Sequence, residues 1–240
     1  MGKIEDISYI EKVGIKETIR TTTMGNVIHI LNNGKKYKEF SADYKNLDDS
    51  INVLLRDDLI SQTEEYGNPV ISFPEIVISS EKELFGIVGD YEIGQPLPQI
   101  NQLTSINQMI RLVEILEKEI YNLSLKGWNL EDLHEENILI NLKSLTKPIR
   151  IIDTDYYCLQ SNRDKIEIYR QNIKKIFRAV IESLLPELLR SNLIQENLKN
   201  DYLLASNGLM KTSEFLKYLL TKVTILYDEP KNIKTLRKTL

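Results

Sequence analysis

The hydrophobic pattern changes its period near residue 92, and that change constrains the fold of this 240-residue chain more than any other feature. Before it, short apolar runs bounded by turn residues read as strands. Residues 26–31 (NVIHIL) and 35–40 (KKYKEF) flank Asn32-Asn33-Gly34, which tolerate the positive φ of a tight hairpin. A run over 16–23, ending at Met24-Gly25, leads into that hairpin as a third strand of a meander. Residues 70–78, interrupted by Pro74, and 84–91 add two more. One helix lies among them, over 43–66, with Ile51, Leu54, Leu55 and Leu59 at helix-face spacing. Beyond Pro98 the apolar residues recur at intervals of three and four. Ile106, Met109, Ile110, Val113, Leu116, Ile120 and Leu123 mark a long amphipathic helix stopped at Gly127, and 164–189, 194–205 and 212–226 read as helices. Strand signals return only over 137–153. The expected class is α+β, with a small antiparallel β lobe over residues 1–92 and a mainly helical lobe over 93–240.

Charge and cysteine content exclude several functions. With 31 basic and 35 acidic side chains the chain is slightly acidic, whereas a protein that neutralises nucleic-acid phosphates is usually basic, so nucleic acid is not an expected partner. The single Cys158 cannot close an internal disulfide, and with two histidines it leaves little for a zinc site. A reducing, cytoplasmic setting fits. No apolar run approaches a membrane span, and MGKIEDIS has neither an apolar signal core nor a Ser or Thr at position 6 for myristoylation, so no membrane partner is expected.

The chemistry concentrates in residues 127–157, GWNLEDLHEENILINLKSLTKPIRIIDTDYY. A polar loop carries Asp132 and Asn137, and a hairpin follows whose second strand delivers Asp153 and Asp155 at its exit. Such a hairpin sets the start of its first strand beside the end of its second, so Asn137 and Asp153 are expected to be neighbours. An amide oxygen and a carboxylate together suit a hard cation such as magnesium, with water or phosphate oxygens completing its shell. Asp132, upstream, is then placed to accept a proton, which makes a phosphoryl-transfer arrangement.

These residues resemble the catalytic core of the protein-kinase-like superfamily. Protein kinases carry H-R-D-x-x-x-x-N and then D-F-G, whereas aminoglycoside and choline phosphotransferases commonly read H-x-D-L-H-x-x-N and then I-D-x-[DE]. The strings here, L-E-D-L-H-E-E-N and I-I-D-T-D, match the second pattern at Asp132, Leu133, His134, Asn137, Ile152, Asp153 and Asp155. The resemblance implies a small bacterial-type kinase of two lobes using ATP and magnesium. Asp132 would be the catalytic base, Asn137 and Asp153 the metal ligands, and Asp155 a further group at the metal or behind it. Lys38 takes the place of the strand lysine that neutralises the ATP phosphates. Lys36 shares its face, and Lys35 the opposite one. The helix acid that pairs with such a lysine would be Asp58, which falls within the apolar stripe where a carboxylate needs a cation; Asp48 and Asp57 are its rivals. Residues 84–94 (LFGIVGDYEIG) resemble the last strand and hinge, so the Asp90 carbonyl and Glu92 N–H would hold adenine, with Gly89 behind them.

The departures from the pattern matter too. The phosphate loop is poor in glycine: a short turn at Thr22-Thr23-Met24-Gly25, with Gly25 as its key residue, stands where kinases have G-x-G-x-x-G. Thr154-Asp155 replaces Phe-Gly, no A-P-E follows, and a helix begins near Asp164, which leaves no room for a long activation segment. The acceptor implied is a hydroxyl on a small molecule or a protein. The alternative is a pseudokinase that binds nucleotide or a partner without transfer. Glu131, Glu135 and Glu136 crowd the Asp132 loop, either as a solvated face or as an attraction for a cationic acceptor.

Overall fold

Seven residues of the hairpin exit leave their sequence neighbours and join the N-terminal strands. The computed structural model describes residues 3–21, 25–102, 104–190, 198–227 and 229–240. It divides into a unit of Met1–Ile93 with Ile152–Cys158, and a unit of Gly94–Ile151 with Leu159–Leu240. The architecture is α+β.

In the first unit the chain forms strand β1 (Ile4–Glu5), helix α1 (Ser8–Val13), strands β2 (Ile15–Thr21), β3 (Val27–Leu31) and β4 (Lys36–Glu39), helices α2 (Ala42–Lys45) and α3 (Ser50–Thr63), then β5 (Ile76–Ser79) and β6 (Leu84–Gly89). The sheet order is β1-β5-β6-β4-β3-β2. The hairpin predicted at Asn32-Asn33-Gly34 forms, with Gly34 at φ 81° and Ile28 opposite Lys38. β1 pairs parallel with β5, so the sheet is mixed where turn signals predicted an antiparallel one. Two residues are too short a run for alternation to register.

Alternation along β4 sorts its side chains between the two faces. Tyr37 joins Ile10, Leu31, Ile76, Ile78 and Val88 on one side. Phe40 joins Leu47, Leu59, Val77, Leu84 and Ile87 on the other, the side of Lys36 and Lys38.

Helix α3 begins at Asp49, whose carboxylate accepts from the Ile51 N–H at 2.9 Å. Its orientation corrects the sequence reading. Ile51 and Leu54, expected inside, are 71% and 65% exposed, and the buried positions are Asn52, Leu59, Gln62 and Thr63. The inward face is turned by roughly 60° from the apolar stripe. Leu59 packs into the cluster beneath the sheet, and the polar Gln62 and Asn52 are buried because they find partners there.

The second unit holds strand β7 (Gln95–Pro96), helix α4 (Ile106–Lys126), strands β8 (Trp128–Leu130), β9 (Ile138–Ile140) and β10 (Ile149–Ile151), and, after strand β11 (Tyr157–Leu159) that bridges from the first unit in sequence, helices α5 (Lys165–Leu184), α6 (Lys199–Ser206), α7 (Thr212–Leu226) and α8 (Ile233–Thr239). β7, β9 and β10 form one antiparallel sheet in which Ile138 pairs with Ile151. All seven apolar positions named for α4 are buried. Gly127 ends that helix at φ 102°, its N–H returning to the carbonyls of Leu123 and Ser124. α5 starts at the Asp164 cap, ends before Pro186, and packs on α4 and α7. Phe177 meets Tyr202 and Phe215 edge-on at 5.4 and 5.3 Å. The helix expected over 194–205 is described only from Lys199, residues 194–197 lying outside the described residues. Helix α8, not anticipated, opens with a capping box between Asn232 and Thr235. No described helix is long and apolar enough to cross a membrane.

Candidate functional site

Each unit carries one cluster of the predicted site residues. In the first, Lys38 is placed by a close approach of strands: a Cβ on Gly86 would lie 2.1 Å from the Lys38 carbonyl oxygen, so glycine is what lets β6 run against β4 there. The Lys38 side chain is buried, 6% exposed as a residue. Its ammonium bonds the Asp155 carboxylate and lies 3.7 Å from Asp153 Oδ1, and the Lys36 ammonium is 3.9 Å from that same oxygen. Burial pulls the Lys38 ammonium toward neutrality. The Asp155 and Asp153 carboxylates outweigh that pull and hold its pKa above the ordinary lysine value.

Two features set the 153–155 segment apart. Asp153 has φ 55°, the one positive φ among described non-glycine residues, a conformation that carries strain of about 1–3 kcal/mol. Asp155 is 5% exposed and its Oδ1 is buried without a hydrogen-bond partner. Both acids face a narrow cleft with Lys36, Ile87, Gly89 and Asp90. Between them Thr154 is fastened to α3: Gln62 Nε2 donates to the carbonyls of Thr154 (2.9 Å) and Tyr157 (3.0 Å), and Gln62 Oε1 accepts from the Thr154 hydroxyl (2.9 Å).

The lysine partner therefore corrects the sequence reading. The carboxylates described against Lys38 come from the hairpin exit, not from α3, where Asp58 was expected. Asp58 is half-buried and its rivals Asp48 and Asp57 are exposed. The turn of α3 about its axis places Gln62 inward instead.

The expected nucleotide contacts fall in the same unit. Gly25 has φ 77°, while its neighbours 22–24 lie outside the described residues. Asp90, just past β6, takes the Lys35 ammonium at 2.6 Å and the Tyr66 hydroxyl at 2.9 Å. Lys35 also reaches Glu75 at 3.2 Å, on the side of β4 away from Lys38, as alternation requires. Glu92 accepts from the Ser72 hydroxyl at 3.3 Å. These bonds anchor the exit of β6, from which the Asp90 carbonyl and Glu92 N–H follow.

In the second unit Asp132 and Asn137 occupy the loop between β8 and β9. Asn172 of α5, fully buried, sets its start: Oδ1 accepts from the Leu130 N–H (3.0 Å), and Nδ2 donates to the Trp128 carbonyl (2.9 Å) and the Ser124 hydroxyl (3.0 Å). Lys175 donates to the Leu130 carbonyl at 2.9 Å. The Asn137 N–H donates to the His134 carbonyl and its Nδ2 to the Asp132 carbonyl, both at 3.1 Å. The amide nitrogen is thus spent on the loop, which leaves Oδ1 as the atom suited to a cation. His134 Nδ1 accepts from the Glu136 N–H at 3.3 Å, a loop cap. Asp132 is exposed. Because Ile138 pairs with Ile151, Asn137 stands one residue before that pair in sequence and Asp153 two residues after it.

Among the described residues no group of three or more Asp, Glu, His or Cys forms a metal cage. Magnesium does not require one, since one or two carboxylates with phosphate oxygens suffice. The orphaned Asp155 oxygen beside Asp153 fits that donor set. A larger cavity in the second unit, about 430 Å³, is lined by Glu117, Tyr121, Tyr169, Lys211 and Lys217 among others. Its buried acid, Glu117, accepts from the Ser213 N–H and hydroxyl and so caps α7.

Gln62 and Asn172, which fasten the backbone beside the candidate residues, are positions that the sequence reading missed. Each is an amide on the inward face of a helix, beside Leu59 or Ile173, and that is the signal that marks them. No protein-family model matches the chain, and no curated protein is significantly similar to it.

Proposed function

We propose that the chain is an ATP- and magnesium-dependent phosphotransferase of the two-lobed protein-kinase-like kind, moving the γ-phosphate to a hydroxyl group. The observation that carries the reading is the buried Lys38 ammonium set against two carboxylates, one of them on a strained residue two positions past the end of β10. A buried cation among acids, one acid oxygen without a partner, suits a triphosphate and its metal, in which the charges of both signs are matched.

In this reading Lys38 takes phosphate oxygens, and Asp153 and Asp155 are the groups of the first unit that would hold magnesium, a role the sequence resemblance also assigns to Asn137. Magnesium, when bound, neutralises the charge that develops on the transferred group. Asp132 orients the acceptor hydroxyl and takes its proton. Its exposure keeps it open to an incoming acceptor. Only residues 160–164 separate β11 from α5, too few for a peptide-docking segment, which favours a small acceptor. Three glutamates in the Asp132 loop favour one carrying positive charge.

The test compares γ-phosphate loss from ATP in the wild type and Asp132→Asn, with magnesium and a panel of amino alcohols and peptides. The variant is expected to fall by about 10²–10⁴-fold with its fold intact. Equal turnover in the two proteins removes Asp132 as the base. Stabilisation by ATP and magnesium, without product on any acceptor, replaces the transferase with a nucleotide-binding module.

A further inference from the structure

Gln62 uses its whole amide on one short segment more than ninety residues away in sequence. Both contacts of Nε2 go to backbone carbonyls, those of Thr154 and Tyr157, and Oε1 takes the Thr154 hydroxyl. Gln62 is fully buried and Thr154 is 2% exposed, so water does not substitute for these bonds. A glutamate of the same length would present two acceptors to two carbonyl acceptors, and a leucine would present nothing. The residue so held sits between Asp153, whose φ of 55° must be maintained against its intrinsic preference, and Asp155, which gives one oxygen to Lys38 and keeps the other buried and unpartnered. Fixing the peptide between two acids fixes both carboxylates with respect to Lys38.

We infer that Gln62 is the positioning residue of the site: it holds in place Asp153 and Asp155, the two carboxylates that would take a divalent cation. Helix α3 therefore couples to the phosphate site through an amide latch. The inference rests on the phosphotransferase reading and adds the device that sets its metal acids.

The experiment measures Mn²⁺ binding by electron paramagnetic resonance in the presence of the β,γ-imido analogue of ATP, for the wild type, Gln62→Leu, Thr154→Val and the double variant. Removal of groups that orient metal ligands typically weakens metal binding by about 10–100-fold. Gln62→Leu is expected at that level, with metal-free nucleotide affinity within about twofold of wild type. Thr154→Val, nearly isosteric and missing one of the three bonds, is expected to weaken Mn²⁺ less, and the double variant no more than Gln62→Leu alone, because the two side chains act through one contact. If Gln62→Leu does not fold, Thr154→Val decides. Mn²⁺ affinity unchanged in the folded variants overturns the inference while leaving the phosphotransferase reading intact. A wild type that binds neither Mn²⁺ nor the nucleotide analogue overturns that reading, and the inference with it.

Discussion

The molecule buries two carboxylates in two different ways. In the first unit Asp155 meets the Lys38 ammonium in a site where both side chains are less than a tenth exposed. In the second unit Glu117, 2% exposed, meets only the hydroxyl and N–H of Ser213 at the start of α7. Burial pushes the Glu117 carboxyl above its usual range, and the Ser213 hydrogen bonds only partly oppose that. The difference separates an acid held against a cation from an acid that serves as a cap. A buried ion pair is costly to assemble and contributes little net stability over an apolar pair, so its presence asks for a reason other than stability. A helix cap is its own reason.

The comparison breaks most readily at Lys38. Lys38→Met leaves the buried Asp155 carboxyl without its cation, and is expected to cost about 3–5 kcal/mol in urea unfolding at pH 7. Lys38→Met combined with Asp155→Leu is expected to recover most of that loss. A single variant that loses less than about 1 kcal/mol would place the ammonium in water and remove the contrast.

Next in size is the response of Glu117 to pH. Its folded pKa is raised above the unfolded value of 4.5, so its contribution to stability is complete below that pH and is lost as pH rises through the folded pKa. Glu117→Gln keeps an acceptor for the Ser213 N–H and has no charge to desolvate. It is expected to match the wild type near pH 4 and to exceed it at pH 8, by about 1.4 kcal/mol for each unit by which burial raises the carboxyl. Identical unfolding free energies across that range would make the cap indifferent to charge.

The smallest effect expected lies at alkaline pH. The raised pKa of Lys38 means that its pair is fully stabilising below 10.5, the ordinary lysine value, and fades as pH climbs from there through the folded pKa. Wild type and the Lys38→Met, Asp155→Leu double variant should therefore converge above pH 10.5 and run parallel below it. Parallel curves throughout would mean that Lys38 loses its proton at the same pH in the folded and unfolded chain.

How much of this was legible in the sequence varies from element to element. Helix α4 was legible along its length, because seven apolar residues share one face and Gly127 supplies the left-handed stop that a helix end needs. The Asn32-Asn33-Gly34 hairpin was legible because the turn carries its own backbone preference. Helix α3 was legible as a helix and misread as to face. Its apolar residues form a weak stripe, and the inward side was settled by Gln62 and Asn52, whose partners lie elsewhere in the chain: Thr154 and Tyr157 for Gln62, the carbonyls of Asp43 and Asn46 for Asn52. Periodicity counts apolar residues and passes over a buried amide. The same blindness produced Asp58 as the partner of Lys38, since a carboxylate within an apolar stripe was the visible anomaly and an amide beside it was not. Within the candidate site, Asp132, Asn137, Asp153 and Asp155 were legible from spacing and strand exits; Asn172, which sets the Asp132 loop, was not.

The sequence by itself determined what is local: the Asn32-Asn33-Gly34 hairpin and the long helix α4, where Gly34 and Gly127 turn or stop the chain, and that two acids follow a strand after residue 151. These depend on the conformational preferences of residues within a turn or two of each other. The tertiary structure alone decided that residues 152–158 join the N-terminal sheet unit, that Asp155 and not Asp58 meets Lys38, and that Gln62 holds them. The reason is that a buried polar group is stable only where its partner is, and those partners lie about ninety to one hundred and twenty residues apart in the chain.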